Sequence, residues 1–144
     1  MKRGYYGIGI YHTKTEVNIG TLWRSAHNFG AAFIFTIGKR YKHQSSDTTK
    51  AWKTIPLYDY KSFDEFSLSI PYGCQMIAIE QSETSKSLVT FKHPERAIYL
   101  LGAEDHGLPK GILNKSHAIV HIDTPMCLNV STAGSIVMYD RSIK

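Results

Sequence analysis

The strongest constraint on the fold lies near the N-terminus, where two apolar segments flank one amphipathic segment. Residues 5–11 alternate glycine with aromatic and β-branched residues, which predicts a β-strand. Residues 32–37 form a short apolar run that ends at Gly38 and predicts a strand buried on both faces. A helix between two such strands makes a βαβ unit, so the chain is expected to build a parallel sheet.

The segment between these strands has the period of a helix. Its apolar residues recur at three- and four-residue steps, at Ile19, Leu22, Trp23, Ala26 and Phe29. Asn18 is the expected N-cap of this helix, and Gly30 is its expected stop.

Further apolar runs at 75–80, 97–101 and 118–122 predict three more strands, and residues 55–57 predict a short one. A short helix is expected to start at the capping-box spacing of Ser62 and Glu65, and a last helix to run over 129–139. The polar segment 39–53 is expected to be a surface loop. We therefore predict one α/β domain over residues 1–144.

The composition narrows the function classes. The formal net charge is +5, spread along the chain without a basic tail, which permits RNA as a partner on a folded surface. No apolar run reaches membrane-spanning length and no secretory signal is evident, so we expect a cytoplasmic protein without a membrane partner. The two cysteines and seven histidines form no ligand set, so no metal is expected.

Three segments combine polar and glycine residues after predicted strands, where parallel sheets bind ligands. In the first, Asn18 and Arg24 lie on the amphipathic helix, either as functional groups or as a cap and a solvated charge. In the second, residues 100–109 open an apolar strand into a loop with two glycines and two acids, either a ligand loop or an ordinary turn before a helix opened by Pro109.

The third segment, residues 122–133, leads from a strand through a loop into a helix rich in small residues. Those residues favour close packing, against a cofactor or partner subunit or within the core. Cys127 lies in this loop, and a lone cysteine there is more often inert than nucleophilic. The glycine pattern of dinucleotide-binding folds is absent, since residues 7–9 lack its third glycine.

Taken in order, the three segments resemble the motifs of the SpoU (TrmH-like) branch of the SPOUT methyltransferases, over nearly the whole chain. Asn18 and Arg24 match an Asn-x-x-x-x-x-Arg helix. The second segment matches a Gly-x-Glu-x-x-Gly-Leu loop, and the third matches an Ile-Pro-Met…Ser-Leu-Asn-Val-Ser-x-Ala segment.

The resemblance implies a parallel sheet flanked by helices, a deep trefoil knot near the C-terminus, and a homodimer with its site near the subunit boundary. It implies that the chain transfers a methyl group from S-adenosylmethionine to a ribose 2′-hydroxyl of RNA. The implied catalytic residues are Arg24, Asn18 and Asn129. The implied cofactor-binding residues are Glu80, Gly102, Glu104, Gly107, Ile122, Met126, Cys127 and Leu128.

The chain departs from the family pattern at Cys127, where serine is usual, and a thiol is the weaker hydrogen-bonding group. It also lacks the added RNA-binding domain of many ribosomal RNA members, so this domain is expected to supply its own RNA surface. Transfer RNA is the favoured substrate. A ribosomal RNA 2′-O-methyltransferase and a catalytically weak knotted RNA-binding protein remain as alternatives.

Overall fold

A computed structural model describes residues 4–42 and 54–144. The predicted loop at 39–53 lies largely outside these residues. The described strands are β1 (Tyr5–Tyr11), β2 (Phe33–Ile37), β3 (Leu57–Tyr60), β4 (Gln75–Ile79), β5 (Lys86–Ser87), β6 (Arg96–Leu101) and β7 (Ala118–His121). The described helices are α1 (Glu16–Asn28), α2 (Phe63–Ser67), α3 (Lys110–Lys115) and α4 (Val130–Ile143), with a 3₁₀ turn at Leu88–Thr90.

The strands form one seven-stranded sheet in the order β3-β2-β1-β6-β4-β7-β5. Each neighbouring pair is parallel. Parallel strands end at a common edge, so the segments after β1, β4, β6 and β7 meet there. The predicted α/β class with a parallel sheet flanked by helices is confirmed.

Helices cover both faces of the sheet. On one face, α1 and α4 pack over a core that includes Ile8, Leu22 and Val137. On the other face, a second core joins strand residues to Phe66 of α2 and Ile112 of α3. Because the central strands are buried on both faces, they read in the sequence as apolar runs.

The glycines of β1 have a packing role. In the parallel register, Gly7 lies beside Phe33 and Gly9 beside Phe35. A Cβ atom at either glycine would overlap the phenylalanine ring of its neighbour. The alternating glycines therefore leave space for two aromatic side chains on one face of the sheet.

The small residues of α4 are divided between two roles. Gly134 is buried, and a Cβ there would overlap Leu22 of α1 and lie 3.0 Å from Leu101 Cδ1. Ser135 donates a 2.7 Å hydrogen bond to Ser25 of α1. Ala133 instead lines a cavity described below. Close packing at Gly134 and Ser135 thus serves the core of this chain.

The end of α4 is fixed by a buried cation. Arg141 is 1% exposed. Its guanidinium donates to the carbonyls of Pro94 and Glu95 and to the Tyr99 hydroxyl, at 2.7–3.0 Å. These bonds explain why α4 continues to Ile143, beyond the predicted end at residue 139.

Several predicted boundaries were wrong. Asn18 is not the N-cap of α1. Thr15, with φ −127° and ψ 141°, holds that position, and Asn18 is buried in the first turn. The strand predicted at 55–57 begins at Leu57, and the two-residue β5 was not predicted.

Other predicted boundaries are confirmed. Gly30 has φ 79° directly after Phe29, the C-cap of α1. The side chain of Ser62 accepts a hydrogen bond from Glu65 N at the start of α2. Pro109 precedes α3 as expected. In the described part of the chain, no helix is long and apolar enough to cross a membrane.

Candidate active site

A cavity of about 670 Å³ opens at the carboxyl ends of β4, β6 and β7. This position is where open α/β sheets bind ligands. The sequence prediction named eight cofactor-binding residues, and the structure brings all of them to this one cavity. They are Glu80, Gly102, Glu104, Gly107, Ile122, Met126, Cys127 and Leu128.

The loop after β6 depends on two glycines. Gly107 has φ 64°, and its N–H donates to the carbonyl of Ala103 at 3.1 Å. A Cβ at Gly102 would lie 2.6 Å from Gly107 Cα. Larger residues at either position would open the turn, so the backbone of this loop can approach a ligand closely.

Glu80 holds the same loop from the end of β4. Its carboxylate accepts hydrogen bonds from the N–H groups of Leu108, at 2.9 Å, and Gln81, at 3.0 Å. A Cβ at Gly107 would overlap the Glu80 carboxylate. Glu80 therefore lines the cavity and also fixes the shape of the loop beside it.

Glu104 is the centre of a network that joins β1 to the cavity. Its carboxylate accepts from the Thr13 hydroxyl and the Lys14 N–H, each at 3.0 Å, and from the side-chain amide of Asn18. Burial acts to raise the pKa of Glu104, but hydrogen bonds from its own backbone, Lys14, Asn18 and Thr13 outweigh this effect. The pKa of Glu104 therefore lies below its usual value, and the group is held ionised.

Asn129 extends this network to the third segment. Its side-chain oxygen caps α4 by accepting from the N–H groups of Ser131, at 3.0 Å, and Thr132, at 3.1 Å. Its amide nitrogen donates to the Asn18 side-chain oxygen at 3.1 Å. We call Thr13, Lys14, Asn18, Glu104 and Asn129 the Glu104 network. It brings together one residue or more from each of the three predicted segments.

An ion pair at the cavity rim was missed by the sequence prediction. Arg40 donates to both carboxylate oxygens of Asp105, at 2.7 and 3.1 Å, and to the carbonyl of His12 at 2.8 Å. The hydrogen bond from Arg40 holds the pKa of Asp105 well below its usual range. The partners are 65 residues apart and neither belongs to a periodic pattern, so the sequence contains no signal for this pair.

Arg24 lies apart from the cavity. It is exposed on α1 and is not among the residues that line the cavity of its own chain. Asn18, six residues earlier on the same helix, belongs to the Glu104 network. The structure thus separates the two predicted polar residues of the first segment.

The 122–128 loop forms the outer side of the cavity. Met126 is 80% exposed, and Cys127 is a free, exposed thiol. Thr124 donates to the Met126 carbonyl at 2.8 Å, within the loop itself. Within residues 4–42 and 54–144, no group of three or more His, Cys, Asp or Glu residues is arranged to hold a metal ion.

Comparison with known proteins identifies the family. Residues 7–139 match the model of the SpoU rRNA Methylase family. The chain is 23% identical over 133 residues to the mouse tRNA (guanosine(18)-2′-O)-methyltransferase TARBP1. The matched region covers 85% of this chain and 8% of TARBP1. The chain thus spans a small part of that relative.

Solved structures share the fold. One is a structure that concerns the 2-OH methylation of C/U34 on tRNA, with a TM-score of 0.84 at 22% identity. The match covers 96% of this chain and 94% of the other chain. The SpoU methyltransferase AviRb from Streptomyces viridochromogenes, in complex with AdoMet, has a TM-score of 0.79 at 18% identity. This match covers 99% of this chain and 58% of the AviRb chain. With the family match over most of its length, this chain belongs to the SpoU rRNA Methylase family.

Proposed function

We propose that this protein transfers a methyl group from S-adenosylmethionine to a ribose 2′-hydroxyl of RNA, with tRNA as the favoured substrate. The observation that carries the proposal is the convergence of three sequence segments on one cavity through the Glu104 network. Family membership supports the reaction class, and the names of TARBP1 and of the C/U34 structure support tRNA.

The cavity suits S-adenosylmethionine in size and chemistry. Its volume of about 670 Å³ lies within the range of small-molecule sites. Apolar residues that can enclose an adenosine line it, among them Ile79, Leu101, Ile122, Leu128 and Val130. The acidic residues Glu80, Glu104 and Asp105 line it as well, and their charge favours a cationic sulfonium.

The backbone of the loop after β6 would bind the adenine of the cofactor. The glycines at 102 and 107 line the cavity without side chains, so the loop backbone can approach the edge of a base closely. When bound, the cofactor supplies an electrophilic methyl group. The protein then has to align the ribose hydroxyl with it and manage the proton.

Arg24 is the residue that we propose for transition-state stabilisation. A ribose hydroxyl is a poor nucleophile, and negative charge develops on its oxygen as the proton leaves. A guanidinium stays protonated in proteins, so Arg24 would stabilise this charge or hold a neighbouring phosphate. Asn18 and Asn129 each use one amide N–H in the network, and the second N–H of each amide would orient the ribose or Arg24.

We also propose that the chain acts as a homodimer with its site near the subunit boundary. Arg24 lies outside the cavity of its own chain, so a second copy is a natural source of that side chain. The deep C-terminal trefoil knot implied by the family resemblance belongs to the same proposal. Action in the cytoplasm agrees with two free cysteines and with the location of tRNA.

Methyl transfer from labelled S-adenosylmethionine to bulk unmodified RNA tests the reaction. We expect label in tRNA, and nucleoside mass spectrometry should find it on a ribose. Label in ribosomal RNA alone would favour the alternative substrate. S-adenosylhomocysteine binding without any transfer would favour a knotted RNA-binding protein.

Two physical measurements test the remaining parts. Sedimentation should give a dimer at micromolar concentration, and a monomer of 16.3 kDa would contradict the shared site. RNA affinity should fall with salt, with a slope of about −0.7 to −0.9 in log affinity per phosphate contact. A flat salt dependence would contradict docking on a basic folded surface.

A further inference from the structure

A polar cluster beside the cavity joins the end of β7 to the turn before β5. His121 is the last residue of β7, Asp123 lies in the 122–128 loop, and Ser85 lies in the turn. His121 Nδ1 lies 2.8 Å from Ser85 Oγ, and His121 Nε2 lies 3.0 Å from Asp123 Oδ1. The imidazole is 18% exposed, so both ring nitrogens are engaged in a largely enclosed position.

The single hydrogen of the Ser85 hydroxyl is already committed. Ser85 Oγ lies 2.7 Å from the carbonyl oxygen of Ser82, which can only accept. The hydroxyl must therefore donate to Ser82, and its oxygen also accepts the Ser82 N–H at 3.1 Å. The Ser85 hydroxyl thus ties the turn before β5 together and also contacts Nδ1 of His121.

The other ring nitrogen faces a carboxylate. Asp123 also accepts from the Ser87 hydroxyl, and this bond, with a further contribution from His121, holds the pKa of Asp123 below its usual value. An ionised carboxylate only accepts, so Nε2 must donate to it. The same inventory excludes Ser85 as a nucleophile activated by His121, because its proton is held by Ser82.

We propose that His121 is a positioning residue which donates from Nε2 to Asp123 and so fixes the 122–128 loop in the shape that binds S-adenosylmethionine. The identity of the ligand rests on the proposed function. Asp123 carries the side-chain hydrogen bonds by which this loop contacts His121 and β5. At its other end the loop runs into Asn129, which is fixed by the cap of α4.

Nitrogen NMR of the histidine rings tests the protonation directly. In labelled protein without ligand, Nε2 of His121 should show the shift of a protonated nitrogen. The His121→Gln variant assigns the signals. An unprotonated Nε2 would overturn the inference, whatever the enzyme binds.

Calorimetry with S-adenosylhomocysteine tests the positioning role. We expect Asp123→Asn and His121→Gln to weaken binding about tenfold each, as expected for lost hydrogen bonds to a charged group. The double variant should be no weaker than either single variant, because both act through one interaction. Ser87→Ala should weaken binding by about threefold.

The control is His117→Gln. His117 precedes β7 and accepts a hydrogen bond from Met76 N, but it does not line the cavity. It should leave affinity unchanged. If His121→Gln fails to fold, the exposed Asp123 and the half-buried Ser87 carry the test. Wild-type affinity in all cluster variants overturns this inference alone, whereas a wild-type protein that binds no S-adenosylhomocysteine overturns the proposed function.

Discussion

The two sides of the cavity are built in opposite ways. On the inner side, the Glu104 network ties five residues from four segments by side-chain hydrogen bonds, and Asn18 within it is 6% exposed. On the outer side, the 122–128 loop exposes Met126 and Cys127, and its Thr124 bond stays within the loop. The inner side is preorganised, and the outer side depends on anchors at its two ends. A ligand would therefore meet one fixed surface and one adjustable surface.

The largest expected effect comes from Arg24, which belongs to neither side of the cavity and is proposed to act on the rate of methyl transfer. Arg24→Ala should lower the single-turnover rate of methyl transfer by about a hundredfold or more, near 3 kcal/mol, because it removes a cation that acts in the transition state. Stability should change by less than about 0.5 kcal/mol, since Arg24 is exposed on α1. S-adenosylhomocysteine affinity should stay constant.

Lys92→Ala, at an exposed cation outside the cavity lining, is the matched control for Arg24 and should keep the wild-type rate. Near-wild-type transfer by Arg24→Ala would show that Arg24 is only a solvated helix charge.

The next largest effect is expected from a substitution that disrupts the Glu104 network on the inner side. Glu104→Ala should destabilise the protein by about 2 kcal/mol, because a buried amide at Asn18 loses its charged acceptor. Denaturant titration measures the change in the free energy of unfolding. Glu83→Ala, at an exposed acid in the turn before β5, is the control. Equal stability in the two variants would mean that the inner side is no more rigid than the outer one.

A smaller effect is expected from acid. The folded pKa of Glu104 lies below its ordinary value of 4.5, so its contribution to stability is complete above that value and is lost as the pH falls through the folded pKa. Glu104→Gln cannot titrate, so its stability deficit relative to wild type should shrink on acidification. Melting curves of both proteins between about pH 6 and pH 3 measure this. A constant deficit would contradict the assigned hydrogen bonds.

The smallest effect concerns the outer side. Cys127→Ser should keep or raise activity and leave stability unchanged, because the side chain is exposed and a hydroxyl is the better hydrogen-bonding group. Single-turnover transfer measures the rate. A loss of several hundredfold with intact S-adenosylhomocysteine binding would instead identify the thiol as a reacting group.

The sequence could predict the features that leave a local pattern, and it could not predict those that depend on contacts made only in the fold. The central strands were predictable because burial on both sheet faces leaves an apolar run, and α1 was predictable because burial on one helix face leaves a helical period. The two-residue β5 is too short to leave one. Asn18 was assigned to the helix cap because asparagine favours that position in isolation. Only the fold brings Glu104 to it and makes burial of the amide favourable.

Site residues were predictable to the extent that they lie in recognisable segments. The eight cavity residues came from a family resemblance, and they converge as that resemblance implies. Arg40 lies in no such segment, and its partner Asp105 is distant in the chain. His121 and Asp123 are two residues apart, yet their link to Ser85 and Ser87 depends on a strand pairing at the sheet edge.

The pairs of glycine and phenylalanine on β1 and β2 have a consequence for how this sequence can change over generations. Gly7 with Phe33, and Gly9 with Phe35, each share one volume across the register. A side chain can be gained on β1 only if the neighbouring ring becomes smaller, so each single step is harmful while the paired exchange is permitted. Natural variants should therefore replace the members of each pair together, and the order of mutation should favour loss of the ring before gain of the side chain.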